Sequence, residues 1–150
     1  MDEFMAAAAI AEAEQGLKEG GIPIGSVLVR NGEIMGRGHN QRVQQGSPIL
    51  HAEIDCLANV GRIGSYGDTI LYSTLMPCYL CAGAVVQFGI RKVVAGESQT
   101  FAGAREFMES HGVEVIDLNL ERCQQLMRDF ITQHPQLWFE DIGELTSEGE

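Results

Sequence analysis

His51-Ala52-Glu53 and, further on, Pro77-Cys78-Tyr79-Leu80-Cys81 place three metal-ligating side chains and one carboxylate in two short motifs. Zinc takes four ligands in a tetrahedron and prefers thiolate and imidazole, and a catalytic zinc draws only three of the four from protein. His51, Cys78 and Cys81 make such a set of three. Two thiolates balance the charge of the ion, and a neutral imidazole adds none. Water at the open position is acidified, its pKa falling from about 16 to about 7, which gives a hydroxide-like nucleophile at neutral pH. Glu53 follows His51 by two residues, and helix positions i and i+2 do not share a face. It need not compete for the metal and is free to approach the same water from another side. A carboxylate so placed can take a proton and later return it, which is general acid–base work by one residue.

These side chains can meet only if the elements that carry them start at one place. Proline suits the first turn of a helix, where its missing N–H costs nothing. The run from Cys78 to Phe88 therefore reads as a helix with Pro77 in its first turn and both cysteines on one face. Unpaired N–H groups and the positive end of the helix dipole lower a cysteine's pKa toward the thiolate that zinc requires. Ile54, Leu57, Ala58 and Val60 repeat at roughly helical spacing after His51, which puts that histidine at the start of a second helix. A closed structural zinc site would need a fourth ligand, from Cys56 or Cys123. Cys56 lies in an apolar stripe and Cys123 in an amphipathic segment, and both fit better as small buried apolar residues.

Elsewhere, residues 2–19 read as an alanine-rich helix that ends at Gly20-Gly21. Residues 22–30 read as a strand, Asn31-Gly32 as a two-residue hairpin turn, and 33–38 as the returning strand. Residues 39–48 read as a loop. Strands follow at 68–74, 91–95 and 113–118, and helices at 102–111, 119–133 and 135–142. Strands that alternate with helices after an opening hairpin imply an α/β fold, a mixed sheet with helices on both faces. Metal ligands at helix starts just beyond the sheet sit where open α/β folds place ligands.

The 150 residues suit one domain with a substantial core, and 45% hydrophobic content suits a globule. The acidic, amphipathic N-terminus is not a signal peptide, and no apolar run approaches a membrane span. Four cysteines, two of them in a metal pattern, fit a reducing compartment, so the expected location is cytoplasmic. A net charge of −11, from 21 acids against 10 Lys and Arg, opposes nucleic acid as a substrate. A small neutral substrate fits better.

The pattern H-x-E … P-C-x-x-C resembles the zinc signature of the cytidine-deaminase superfamily. Within it the chain is most similar to the fungal-type cytosine deaminases, from about Ala11 to Glu144. The matching segments are KEGGIPIG (18–25), GRGHNQR (36–42), HAEID (51–55), TLMPCYLCAGA (74–84) and LWFEDIGE (137–144). The resemblance implies a three-layer αβα fold with a mixed five-stranded sheet between helices, one zinc per subunit and a homodimer. It implies a free nucleobase as partner and hydrolysis of cytosine to uracil and ammonia, in pyrimidine salvage. It casts Glu53 as proton shuttle and Asn40 as a hydrogen-bonding partner of the pyrimidine edge. Asp141 would accept from the exocyclic amine and ring nitrogen, and Phe101 and Trp138 would pack on the base beneath a C-terminal cap. His39, His111 and His134 stay outside the chemistry. Met76 stands where the fungal enzymes carry serine and the tRNA-editing relatives glutamate, and Ala52 replaces a glycine. Residues 145–150 run past the family's usual end and are expected to be disordered. Guanine, another purine or pterin base, or a nucleoside remains an alternative substrate for the same chemistry. A non-catalytic zinc-stabilised binding module is a further alternative, which the presence of Glu53 opposes.

Overall fold

Asn31 and Gly32 both take positive φ, 51° and 77°. That is the turn geometry whose twist matches an antiparallel pair of strands. β1 (Gly25–Arg30) accordingly folds straight back into β2 (Glu33–His39). The computed structural model describes residues 3–144, so the expected disorder of 145–150 lies outside the described residues. β3 (Thr69–Ser73) pairs antiparallel with β1, and β4 (Lys92–Ala95) and β5 (Glu114–Asp117) extend the sheet in parallel. The strand order is β2-β1-β3-β4-β5, a mixed five-stranded sheet.

Strand periodicity separates two cores. The row Leu28–Leu71–Val93–Val115 runs straight across four paired strands, and all four side chains join one apolar cluster. The next row, Val27–Tyr72–Val94–Ile116, points to the other face and joins a second cluster. On the first face pack α3 (Ala52–Val60), α4 (Tyr79–Phe88) and α5 (Arg105–Ser110), through Cys56, Ala82, Val85 and Met108. On the second pack a π-helical stretch Met5–Ala9, the α1 helix that continues it (Ile10–Lys18) and α6 (Glu121–Gln133). The result is helix, sheet, helix in three layers. Cys56 and Cys123 fall in opposite layers as buried apolar residues. No helix among the described residues is long and apolar enough to cross a membrane.

The stretch 39–48, expected as a loop, contains the one-turn helix α2 (Arg42–Gln45), closed by Gly46 at φ 61°. Four residues are too few to leave an apolar period in the sequence. A third apolar cluster forms beyond one end of the sheet. There Ile22, Ile24, Leu75, Met127 and Phe130 gather around Trp138 of α7 (Pro135–Asp141).

Gly25 opens β1 directly beneath the first helix. A Cβ there would collide with the Ala9 carbonyl oxygen and the Ala13 amide nitrogen. Backbone cannot yield as a flexible side chain does, so Gly25→Ala should lower unfolding free energy by about 3 kcal/mol in urea titrations. A change below about 0.5 kcal/mol would contradict this packing.

Candidate metal centre

His51 and Cys78 are each the N-cap of a helix, and the extended backbone of an N-cap aims both side chains. His51 caps α3 at φ −64°, ψ 164°, and Cys78 caps α4 at φ −76°, ψ −179°. Each already accepts the first helical hydrogen bond through its carbonyl, from Asp55 and Ala82 at 2.8 Å. Pro77 therefore lies one residue outside the helix rather than in its first turn. Proline's missing N–H still costs nothing there, because the N-cap, not the proline, must be extended. Cys81 sits three residues into α4, where a helical side chain points back toward the N-terminus.

The Sγ atoms of Cys78 and Cys81 lie 3.3 and 3.7 Å from His51 Nδ1. All three donor atoms fall within 4.8 Å of one another. Tetrahedral zinc with bonds of about 2.3 Å to sulfur and about 2.0 Å to nitrogen needs N···S edges of about 3.6 Å and an S···S edge of about 3.8 Å. Both N···S edges are thus the right size, and two sulfurs and one imidazole are the right chemistry for zinc. Among the described residues no other such group of ligands forms. The second ring nitrogen of His51, Nε2, stands 3.4 Å from Asp141 Oδ1. A carboxylate on the far nitrogen orients the ring and reserves Nδ1 for a metal.

Only one of the two thiols is lowered. The Cys78 thiol is held at about 4, against the cost of burial, by hydrogen bonds from the Cys81 side chain and from His51. Cys81 is pushed well above the ordinary thiol range by its bond to Cys78 and by burial. Two adjacent sulfurs do not both ionise without a cation between them. Burial opposes charge on His51, yet the bond to Cys78 and the Asp141 carboxylate outweigh it and raise the imidazole to about 9. The metal-free cluster is therefore a thiolate–imidazolium pair rather than two thiolates and a neutral ring.

Glu53 lies in the first turn of α3, almost fully buried. Burial, followed by the Cys78 charge, raises its carboxyl to about 7. A group poised near neutrality can both give and take a proton. His51, Glu53 and Cys78 line a cleft together with Asn40, Phe101, Trp138 and Asp141. Seven of the eight side chains singled out in the sequence line this cleft, and Cys81 lies just behind it. Phe101 and Trp138 meet edge to face, with ring centroids 5.8 Å apart at 87°. Asn40 is fully buried, and its Nδ2 donates to Asp141 Oδ2 at 3.1 Å. Met76 and Ala52 line the same cleft. His39 stays outside it, clasped between Glu12 and Glu19 at 2.8 Å each.

Sequence reasoning gave Arg42, the last residue of the GRGHNQR segment, no role. Its Nε donates to Asp141 Oδ1 at 2.6 Å across 99 residues of chain. No local spacing links two residues so far apart. The one available signal was a cation two positions after the buried Asn40.

At neutral pH the metal-free cluster holds protons on His51 and Cys81 that a bound metal must displace. Zinc uptake at pH 7 should release about two protons per chain. Apparent affinity should weaken as pH falls, because protons then compete for the same atoms. Calorimetry in buffers of different ionisation enthalpy measures the count, and uptake without proton release would refute this charge state.

Residues 1–97 match the model of the cytidine and deoxycytidylate deaminase zinc-binding region. The chain is 44% identical over 139 residues to the cytosine deaminase of Candida albicans, covering 91% of this chain and 93% of that protein. It is 38% identical over 138 residues to a tRNA-specific adenosine deaminase of Streptococcus pyogenes, covering 83% and 86%. A structure from a study of tRNA:A34 deaminases superposes with a TM-score of 0.72 at 25% identity, over 83% of this chain and 99% of the other. The guanine deaminase of Nitrosomonas europaea shares the fold at 18% identity, with a TM-score of 0.69 over 83% and 81%. The donor triangle, the mixed sheet that carries it and these matches agree: the chain belongs to the cytidine and deoxycytidylate deaminase family of zinc-dependent aminohydrolases.

Proposed function

We propose that this protein hydrolyses free cytosine to uracil and ammonia. The observation that carries the proposal is the donor triangle of His51, Cys78 and Cys81 beside buried Glu53, at the floor of a cleft lined by Phe101, Trp138, Asn40 and Asp141. Two aromatic rings, Phe101 and Trp138, and two polar side chains, Asn40 and Asp141, line the cleft, the make-up of a site for a small planar ring. The 44% identity to a cytosine deaminase along nearly the whole chain supports the choice of base. The net charge of −11 weighs against a tRNA substrate.

Zinc, when bound by the three ligands, supplies the Lewis acidity that makes water a nucleophile near neutral pH. Everything else falls to side chains. Asn40 and Asp141 hold the polar edge of the base, and Phe101 and Trp138 cover its faces. Glu53 takes the proton from the attacking water and passes it to N3 of the ring. The carboxylate so regenerated takes the remaining proton from the new C4 hydroxyl and delivers it to the exocyclic nitrogen as the C4–N bond breaks, so that ammonia leaves and the C4 carbonyl of uracil forms. Asp141 has acceptor capacity left for the exocyclic amine, because a carboxylate offers about four acceptor positions.

The active unit is proposed to be a homodimer of single-domain chains in the cytoplasm, where thiol ligands stay reduced. α4 supports the dimer. It buries Cys81, Ala82 and Val85, yet leaves Tyr79, Leu80 and Phe88 exposed at 73%, 43% and 51%. A helix apolar on all sides belongs inside an assembly. Phe88→Glu should convert a sedimenting dimer into monomers, and a wild-type monomer at micromolar concentration would exclude this interface.

Ammonia release should be rapid with cytosine and at least about a hundredfold slower with cytidine, whose sugar would have to pass Trp138 and Asp141. Glu53→Gln should retain zinc and lose about 10²- to 10⁴-fold in turnover. Activity on guanine or adenine alone would overturn the substrate assignment. Near-normal turnover by Glu53→Gln would overturn the proton shuttle.

A further inference from the structure

Arg42 directs a hydrogen bond from each of its three guanidinium nitrogens, and one from its backbone N–H, at the groups assigned to base recognition and at the segments around them. Its Nε donates to Asp141 Oδ1 at 2.6 Å, Nη1 to Glu140 Oε2 at 2.8 Å and Nη2 to the Pro48 carbonyl at 3.1 Å. Its own backbone N–H donates to Asn40 Oδ1 at 2.9 Å. That last bond settles which way the Asn40 amide faces. With Oδ1 occupied by Arg42, Nδ2 is turned to Asp141 Oδ2, 3.1 Å away. One residue thereby orients both polar partners of the base, the amide through its main chain and the carboxylate through its side chain.

The same guanidinium joins three parts of the chain that no strand pairing connects: α2, the 46–50 turn and α7. The last of these carries Trp138 and Asp141 into the cleft. The Arg42 and Asp141 side chains are 12% and 3% exposed, so the ion pair is shielded from bulk water. A planar fork that contacts two carboxylates and a carbonyl at once fixes direction as well as distance, which an ammonium cannot do.

We propose that Arg42 is the positioning residue of this site: it fixes Asn40 and Asp141 for the base and latches α7 closed over it. The proposal rests on the cytosine reading above for its kinetic half alone. Because Arg42 orients groups that hold the base equally in ground and transition states, its loss acts on KM rather than on kcat.

The chain's single tryptophan, Trp138, lies on the latched helix and reports its closure directly. The experiment compares wild type, Arg42→Gln, Arg42→Lys and Glu140→Gln in zinc content, cytosine kinetics and acrylamide quenching of Trp138. Arg42→Gln should keep full zinc, raise KM about tenfold or more and change kcat by less than about threefold. Its Trp138 should become markedly more accessible to quencher. Arg42→Lys should recover part of the KM but not the closure, because it restores a charge without the fork. Glu140→Gln removes one exposed arm of the latch and should raise KM by about two- to fivefold. It tests the idea even if Arg42→Gln fails to fold. Unchanged KM and quenching in the Arg42 and Glu140 variants would overturn the proposal, as would a loss in kcat alone. Wild type inert toward cytosine would sink the substrate assignment, and quenching of Trp138 would then decide the latch by itself.

Discussion

Two sulfurs and a ring nitrogen held within 4.8 Å of one another set a tolerance that the surrounding fold has to meet. The three atoms belong to the first turns of two different helices, and a relative slip of about 1 Å between those helices would spoil a tetrahedral centre. Both helices are rooted on one face of the sheet, in the apolar cluster built on the Leu28–Leu71–Val93–Val115 row. Close-packed side chains transmit little slack. The precision of the site is thus a property of the layer beneath it. Placing two of the three ligands, His51 and Cys78, at N-caps adds to this, because an N-cap has an extended rather than a helical backbone.

Charge around the cluster is handled by pairing rather than by exposure to water. His51 leans on Asp141, Asp141 on Arg42 and Asn40, and Asn40 on the Arg42 main chain. Each link occupies a donor or acceptor that would otherwise be buried without a partner, at a cost of about 1–3 kcal/mol. Asp141 is the crossing point. It steadies the histidine ligand on one side and lines the cleft on the other, so the metal site and the cleft share a residue. Breaking a buried ion pair by removing one partner leaves a charge in low dielectric, and Arg42 is therefore hard to replace in a chain whose net charge is −11.

Loops at a single end of the sheet supply the rest. That end is closed by His39 paired with Gly25, and one step inward by Ser26 paired with Ser73 and Ser73 with Ala95. Asn40 follows β2, Cys78 follows β3 and Phe101 follows β4 from this edge. The β3 exit is pinned by the Thr74 hydroxyl, which accepts the Gly25 N–H at 3.0 Å. The β4 exit is pinned by buried Glu97, whose Oε2 accepts the Thr100 N–H at 3.0 Å next to Phe101. Antiparallel and parallel strands thus converge their exits on one pocket, which a purely antiparallel sheet would split between two ends.

What the sequence determined by itself was everything with a short range. Chemistry was legible because ligand types and their spacing in H-x-E and P-C-x-x-C are constrained by coordination and by helix geometry. The Asn31-Gly32 turn and the alternating strands were legible for the same reason, since positive φ and a period of two are local demands. Strand and helix limits shifted by a few residues, Pro77 moved one position out of its helix, and α2 went unseen because one turn carries no period. Only the tertiary structure decided the proton states of Cys78 and Cys81, for two identical side chains differ solely in what surrounds them. It alone brought Arg42 to Asp141 and turned Asn40 toward both. Contacts across 99 residues are fixed by how the layers pack, and no pattern along the chain encodes a distance through space.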